Sequence, residues 1–145
     1  MRTNVQIIEK TFGGSNETTY CNLCAQINFP NWLINILTQI PGFKKFNRNL
    51  SFGMTFNDNL NRFEIWSCGY TKLQEGDIFN EELGKRIAYL KAKEKLYKIA
   101  AKLHENISEF LLDVNENVLL KGRTGCLAER LKIYNDLKIN KEMLC

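Results

Sequence analysis

The 145-residue sequence has one histidine, two prolines and no long apolar run, and each scarcity removes something. A lone His104 leaves no second imidazole for a metal site, and without a G-x-S-x-G elbow a serine triad finds no support. The missing apolar run excludes a membrane-spanning helix. Gln6, Glu9 and Lys10 interrupt the opening "MRTNVQIIEKTF", so no signal-peptide core forms and the expected location is the cytosol. Five cysteines are an odd number for a disulfide framework, and a reducing compartment keeps them as thiols. Cys21-x-x-Cys24 has the spacing of a zinc or redox pair. It lies in a predicted strand, though, where residues three apart point to opposite faces. No second such pair completes a tetrahedron. The carboxylates read as helix caps and solvated positions rather than a pair held across a cleft. The chain is therefore expected to be a non-enzyme without a cofactor or metal.

What is present is a single-domain amount of globular sequence, residues 1–145, at 44% hydrophobic and 25% charged, a mixture that excludes disorder. "NVQIIEKTF" and "TTYCNLCAQINF" predict two strands joined at the "GGSN" turn. Pro30 and Pro41-Gly42 bracket a short amphipathic helix carrying Trp32, Leu33, Ile36, Leu37 and Ile40. "LSFGMTFNDNLNRFEIWSCGYTKL" predicts a second hairpin turning at "NDN". In its first arm Phe52, Met54 and Phe56 alternate. In its second, Phe63, Ile65 and Ser67 alternate with Glu64, Trp66, Cys68 and Tyr70. A long helix is predicted from about Asn80 to His104, capped by Asp77 or Asn80, with Glu81 and Glu82 favoured by the dipole of its first turn. His104 would then lie at its C-terminus.

On that helix Ala92, Leu96, Ile99 and Leu103 share a stripe, while Leu83, Ile87 and Leu90 point the other way. This predicts a helix held between the sheet and the C-terminal segment. That segment is expected to be a helix to Leu112, a short strand at Val118–Leu120, a loop at "KGRTG" and a final helix from Cys126 to Ile139, docked on its own domain or on a second copy. The glycines and cations of "KGRTG" would suit an ordinary turn, or a phosphate at a helix start. The fold class is α+β: an antiparallel sheet of about four to five strands packed against a long helix, with flanking short helices.

Charge is unevenly placed. Residues 1–84 carry seven Lys/Arg and eight Asp/Glu, whereas residues 85–145 carry thirteen and eight. Lys91, Lys95, Lys98 and Lys102 recur at helical spacing and form a row, with Arg86 near its start. Together with the aromatic side of the second hairpin, Trp66 and Tyr70, this row is the candidate partner-binding surface. A solvated face using Lys for helix propensity is the plain alternative.

"FEIWSCGYTKLQEGDIFNEELGKRIAYLKAKEKL" resembles a pattern in small accessory proteins encoded by phages of low-GC bacteria: a strand, an acidic link, D-x-F-N-x-x-x-G-x-x-I-A and a basic helix. Asp77, Phe79, Asn80, Gly84, Ile87 and Ala88 carry the match. The resemblance implies a cytoplasmic protein of the host cell that binds a host protein or ribonucleoprotein stoichiometrically, for example to inhibit a defence nuclease as anti-CRISPR proteins do. The alternative is a small nucleic-acid-binding regulator using the lysine face. The helix-strand-strand-helix order, with a basic second helix after a sheet, also resembles a double-stranded RNA-binding domain, but the second helix's start, where that family places its lysines, is "NEE" here.

Overall fold

The computed structural model describes residues 4–15, 17–72 and 80–144; at 115–125 and 138–144 it describes the backbone alone. The chain divides into two compact units, Met1–Asn106 and Ile107–Cys145. Strands β1 (Val5–Gly14) and β2 (Thr18–Ile27) are followed by helices α1 (Asn31–Gln39) and α2 (Phe43–Arg48). Strands β3 (Met54–Asn57) and β4 (Arg62–Lys72) come next, then helix α3 (Glu81–Leu144). The strands form one antiparallel sheet in the order β1-β2-β4-β3, giving the α+β class that the alternation predicts.

Local chemistry sets both hairpins. Gly14 supplies a φ of +135° beside the bond from Ser15 N–H to the Thr18 carbonyl, a conformation that favours glycine. In the second turn Asn57 Oδ1 accepts from the backbone N–H groups of Asn59 and Leu60 at 3.1 and 3.2 Å, and Asn61 takes a left-handed φ of +52°. Such side-chain turns are what Asn is chosen for. A bulge at Ile8 sets Ile8 and Glu9 against Cys24 and resets the alternation of β1.

The period of two sorts the sheet into an inner and an outer face. Inward go Cys21, Leu23, Ala25 and Ile27 of β2, Phe63, Ile65 and Ser67 of β4, and Met54 and Phe56 of β3, all buried. Within the first unit, α3 lies on this face through Ala88, Ala92, Leu96, Ala100 and Leu103. These residues recur every three or four positions, so they share one stripe of the helix. Small residues permit a close approach: a Cβ at Gly69 would overlap Ala92 N and Ala88 O, and Ser67 Oγ donates to the Ala92 carbonyl at 2.7 Å. Helices α1 and α2 contribute buried Ile34, Leu37 and Phe43. Phe43 meets Phe56 and Phe63 edge-on at 5.2 and 6.3 Å.

Asn80 is the observed cap of α3, its Oδ1 accepting from Leu83 N–H at 3.0 Å; Asp77 and the acidic link lie outside the described residues. Asn80→Ala is expected to lower stability by about 1 kcal/mol, read from urea midpoints, while Asn80→Asp or Asn80→Ser holds it. An equal loss in all three variants would reject the capping role.

Several expectations are corrected. Phe52 is not in a strand: Gly53, at φ +93°, precedes β3, and Phe52 is 90% exposed. Leu83 and Leu90 are 52% and 53% exposed, so among the described residues no second layer covers that side of α3. The strand expected at 118–120 and the loop at 121–125 are helical backbone within α3. Gly122 and Gly125 cost a helix only about 1 kcal/mol each, and no proline follows Pro41 to stop it. His104 is consequently inside α3, not at its C-terminus. Its Nδ1–H donates to the Ala100 carbonyl at 2.6 Å and its Nε2 accepts from the Asn4 amide at 3.0 Å, which makes it a structural clip against the end of β1.

Candidate functional site

The outer sheet face carries the residues of opposite phase: Tyr20, Asn22, Cys24 and Gln26 on β2, and Glu64, Trp66, Cys68 and Tyr70 on β4. The register aligns Gln26 with Glu64, Cys24 with Trp66, Asn22 with Cys68 and Tyr20 with Tyr70. Helices α1 and α2, and α3 within the first unit, pack on the inner face. No described element of that unit covers the outer one.

The two ends of this face differ in chemistry. At one end the polar groups satisfy each other. Gln26 Nε2 donates to Gln6 Oε1 and Asn28 Oδ1 at 2.8 and 2.9 Å. Arg62 donates to Gln26 Oε1 at 2.6 Å and pairs with Glu64 at 2.9 Å, and Asn57 Nδ2 also donates to Glu64 at 3.2 Å. The other end is aromatic. Trp66 is 38%, Tyr20 39% and Tyr70 58% exposed. Phe52 meets Trp66 at a T-shaped angle with ring centres 6.2 Å apart, a favoured aromatic geometry. The Tyr20 ring lies over Gly13, where any Cβ would displace it.

Beside Trp66 lies an open groove of about 720 Å³, bordered by Glu9, Cys24, Phe52, Cys68, Lys95 and Lys98. It exists because β3 is short. Only Arg62–Ile65 of β4 pair with β3, with one further bond from Trp66 N–H to Gly53. The rest of β4 is an open edge among the described residues. Lys95 reaches across that edge: its ammonium donates to the Cys68 carbonyl at 3.1 Å and lies 5.8 Å from the Tyr70 ring centre.

The structure thus brings Trp66, Lys95 and Lys98 to one concavity, with Tyr70 adjoining through Lys95. Lys91, Lys102 and Arg86 are exposed on α3 and do not line it. Lys98 pairs with Glu94 at 3.6 Å and Lys102 with Glu105 at 3.7 Å. Exposed pairs of this kind are worth little, so both ammonium groups stay open to solvent. Tyr20 and Phe52 were not singled out by sequence. The alternation Tyr20-Asn22-Cys24 marks the first as outward-facing, whereas nothing local marks Phe52 as a wall.

Cys21 and Cys24 face opposite sides of β2, Cys21 buried and Cys24 half-buried. Among the described residues no three metal-ligating side chains cluster. Burial pushes the Cys21 thiol above the usual range, with Lys10 opposing. Burial, followed by the Glu64 and Glu9 carboxylates, raises Cys24. Since the thiolate is the nucleophile, a disulfide reagent at mildly alkaline pH should label exposed Cys68 and Cys126 first, Cys24 slowly and Cys21 only on unfolding. The sign for stability follows. Above the ordinary thiol pKa the unfolded chain sheds protons that the folded chain retains, so these two groups lower stability as pH rises further. Mass spectrometry of a labelling time course checks the order, and early labelling of Cys21 would refute it.

No family model matches the chain, and neither a curated protein nor a solved structure matches it.

Proposed function

We propose that this protein acts without catalysis, by stoichiometric binding of a host macromolecule through the aromatic end of its outer sheet face. The observation that carries the reading is an uncovered sheet face on which Trp66 and Tyr70 stand beside Lys95 and Lys98. Aromatic anchors next to cations are what a binding surface needs, and hot spots are enriched in such rings. The resemblance of residues 63–96 to phage accessory proteins supports the finer reading: an inhibitor that occupies a host defence nuclease or its ribonucleoprotein. Lys91, Lys102 and Arg86 then extend the cationic surface along α3 and steer encounter with an acidic or nucleic-acid-bearing partner.

The test is capture from a lysate of a low-GC bacterium by the tagged protein, with the complex sized by light scattering. Wild type is expected to retain a partner at a fixed stoichiometry. The variant Trp66→Ala/Tyr70→Ala loses it, while circular dichroism shows the fold intact. Retention of the partner by that variant moves the surface elsewhere. Turnover of a substrate that survives removal of contaminants overturns the non-enzymatic reading.

A further inference from the structure

The chemistry of the outer face narrows the partner, granted that this face is the binding surface. We infer that its aromatic end binds single-stranded nucleic acid directly, with bases stacked on Trp66 and Tyr70 and phosphates along Lys95, Lys98 and Lys72.

Three observations lead there. First, Trp66 and Tyr70 stand on β4, with Tyr20 of β2 opposite Tyr70, on a four-stranded antiparallel sheet whose helices pack on the reverse side. This is the arrangement in which sheets present stacking platforms to unpaired bases. Trp66 and Tyr70 are four residues apart on one strand, about 13 Å, with only the small Cys68 facing outward between them. Phe52 stands at a T-shaped angle to the indole, and Trp66 remains 38% exposed beside it.

Second, charge is sorted by side. Lys95 and Lys98 flank the open edge of β4, and Lys72 ends that strand. The nearby carboxylates are Glu9, which borders the same groove from β1, Glu94, paired with Lys98, and Glu64, already engaged by Arg62 and Asn57. A chain with bases over the rings and its backbone toward the β4 edge therefore meets cations.

Third, the competing occupants fit less well. An added peptide strand would pair with the open edge of β4, but the Cys68 carbonyl there already accepts from Lys95; lysine on an edge blunts strand addition. A duplex hides its bases and cannot use the rings.

The experiment uses the full chain carrying Trp32→Phe, because Trp32 is the other indole and is exposed. A labelled thymidine oligonucleotide and a mixed-sequence duplex, each about fifteen nucleotides long, are titrated at about 50 mM salt and then at higher salt. The single strand is expected to bind, to quench Trp66 fluorescence, and to outcompete the duplex at least ten-fold. Trp66→Ala or Tyr70→Ala should each weaken binding about ten-fold or more. Trp66→Phe keeps a ring and retains most of it, which separates stacking from folding. Lys95→Gln with Lys98→Gln, which removes two phosphate contacts at about 0.7 each on a single strand, should flatten the slope of log K against log salt by about 1.4.

No binding of either probe overturns the inference, as do equal affinity for the duplex and indifference to the ring-removing variants. If neither probe binds while Trp66→Ala still abolishes capture of a lysate protein, the nucleic-acid inference fails and the binding-surface reading stands.

Discussion

Phe63→Ala is expected to be the most damaging single substitution in the first unit, lowering stability by about 3–5 kcal/mol. Phe63 is fully buried. Its ring meets Phe56 at 4.9 Å, Phe29 at 5.8 Å and Phe43 at 6.3 Å. These partners come from β3, from the segment entering α1, and from α2, so one ring joins the sheet to the helical layer. Removing it forfeits the transfer free energy and opens a cavity whose walls are themselves rigid rings, which cannot collapse to fill it. Domains of this size hold about 5–15 kcal/mol in total, so the variant is left marginal. The measurement is a urea transition followed by far-ultraviolet circular dichroism, with Phe52→Ala as the control. Phe52 is 90% exposed, and its loss should stay within about 0.5 kcal/mol. A Phe63→Ala loss of less than about 1 kcal/mol would show that the aromatic cluster is not the centre of the core.

Gly69→Ala is expected to cost about 3 kcal/mol, at the upper end for overpacking. Most added methyl groups meet a side chain that can rotate aside. At Gly69 the obstacle is the backbone of α3, the Ala92 nitrogen and the Ala88 carbonyl oxygen. Helix and sheet must separate, which strains the Ser67–Ala92 bond and the contacts of Ala88, Ala92 and Leu96. A second substitution distinguishes this from an ordinary side-chain clash. Ala92→Gly removes a Cβ but not the obstructing nitrogen, so it should give no rescue and add the glycine penalty of about 1 kcal/mol. Recovery of stability in the Gly69→Ala/Ala92→Gly double variant would place the clash on the alanine side chain and refute the backbone-contact account. The expected drop in thermal midpoint is about 10–14 °C, since an unfolding entropy of about 2.1 cal/mol/K per residue gives about 3.3–4.5 °C per kcal/mol for a unit or chain of this size.

These two positions also show why some of the molecule is legible from sequence and some is not. The alternation of Phe63, Ile65 and Ser67 against Glu64, Trp66, Cys68 and Tyr70 states which side chains share a face, because a strand has a period of two whatever it packs against. The same rule sends Cys21 and Cys24 to opposite faces. Capping chemistry at Asn80 and turn chemistry at Asn57 are equally local. Gly69, by contrast, has no local signature. It is one glycine in a strand pattern until α3 is laid across it.

The strand expected at 118–120 and the loop at 121–125 failed for a related reason, while the segments to Leu112 and from Cys126 to Ile139 are helical as expected, within α3. Gly122 and Gly125 read as punctuation, but a penalty of about 1 kcal/mol each is a bias that neighbouring helix formers outweigh. Conversely, Leu83 and Leu90 read as a second buried face and are exposed, since a large apolar side chain records a preference without guaranteeing a cover.

The candidate surface divides the same way. That Trp66 and Tyr70 face together, and that Lys91, Lys95, Lys98 and Lys102 form a helical row, follow from periodicity alone. Which cations stand beside which rings does not. Lys95 and Lys98 belong with Trp66 because β3 begins only at Met54 and leaves the β4 edge beyond Trp66 open to α3, while Lys91, Lys102 and Arg86 lie outside that groove.

Sequence by itself determined the four strands in outline, helix α1, the start of α3, the two faces of the sheet and most of the stripe that α3 buries, since each depends on backbone periods and on interactions spanning a few residues; it did not mark α2. Only the tertiary structure decided which face stays uncovered, that His104 is a clip against Asn4, and that the end of a short strand makes a groove. Those outcomes depend on contacts between residues tens of positions apart, whose relative placement no local period encodes.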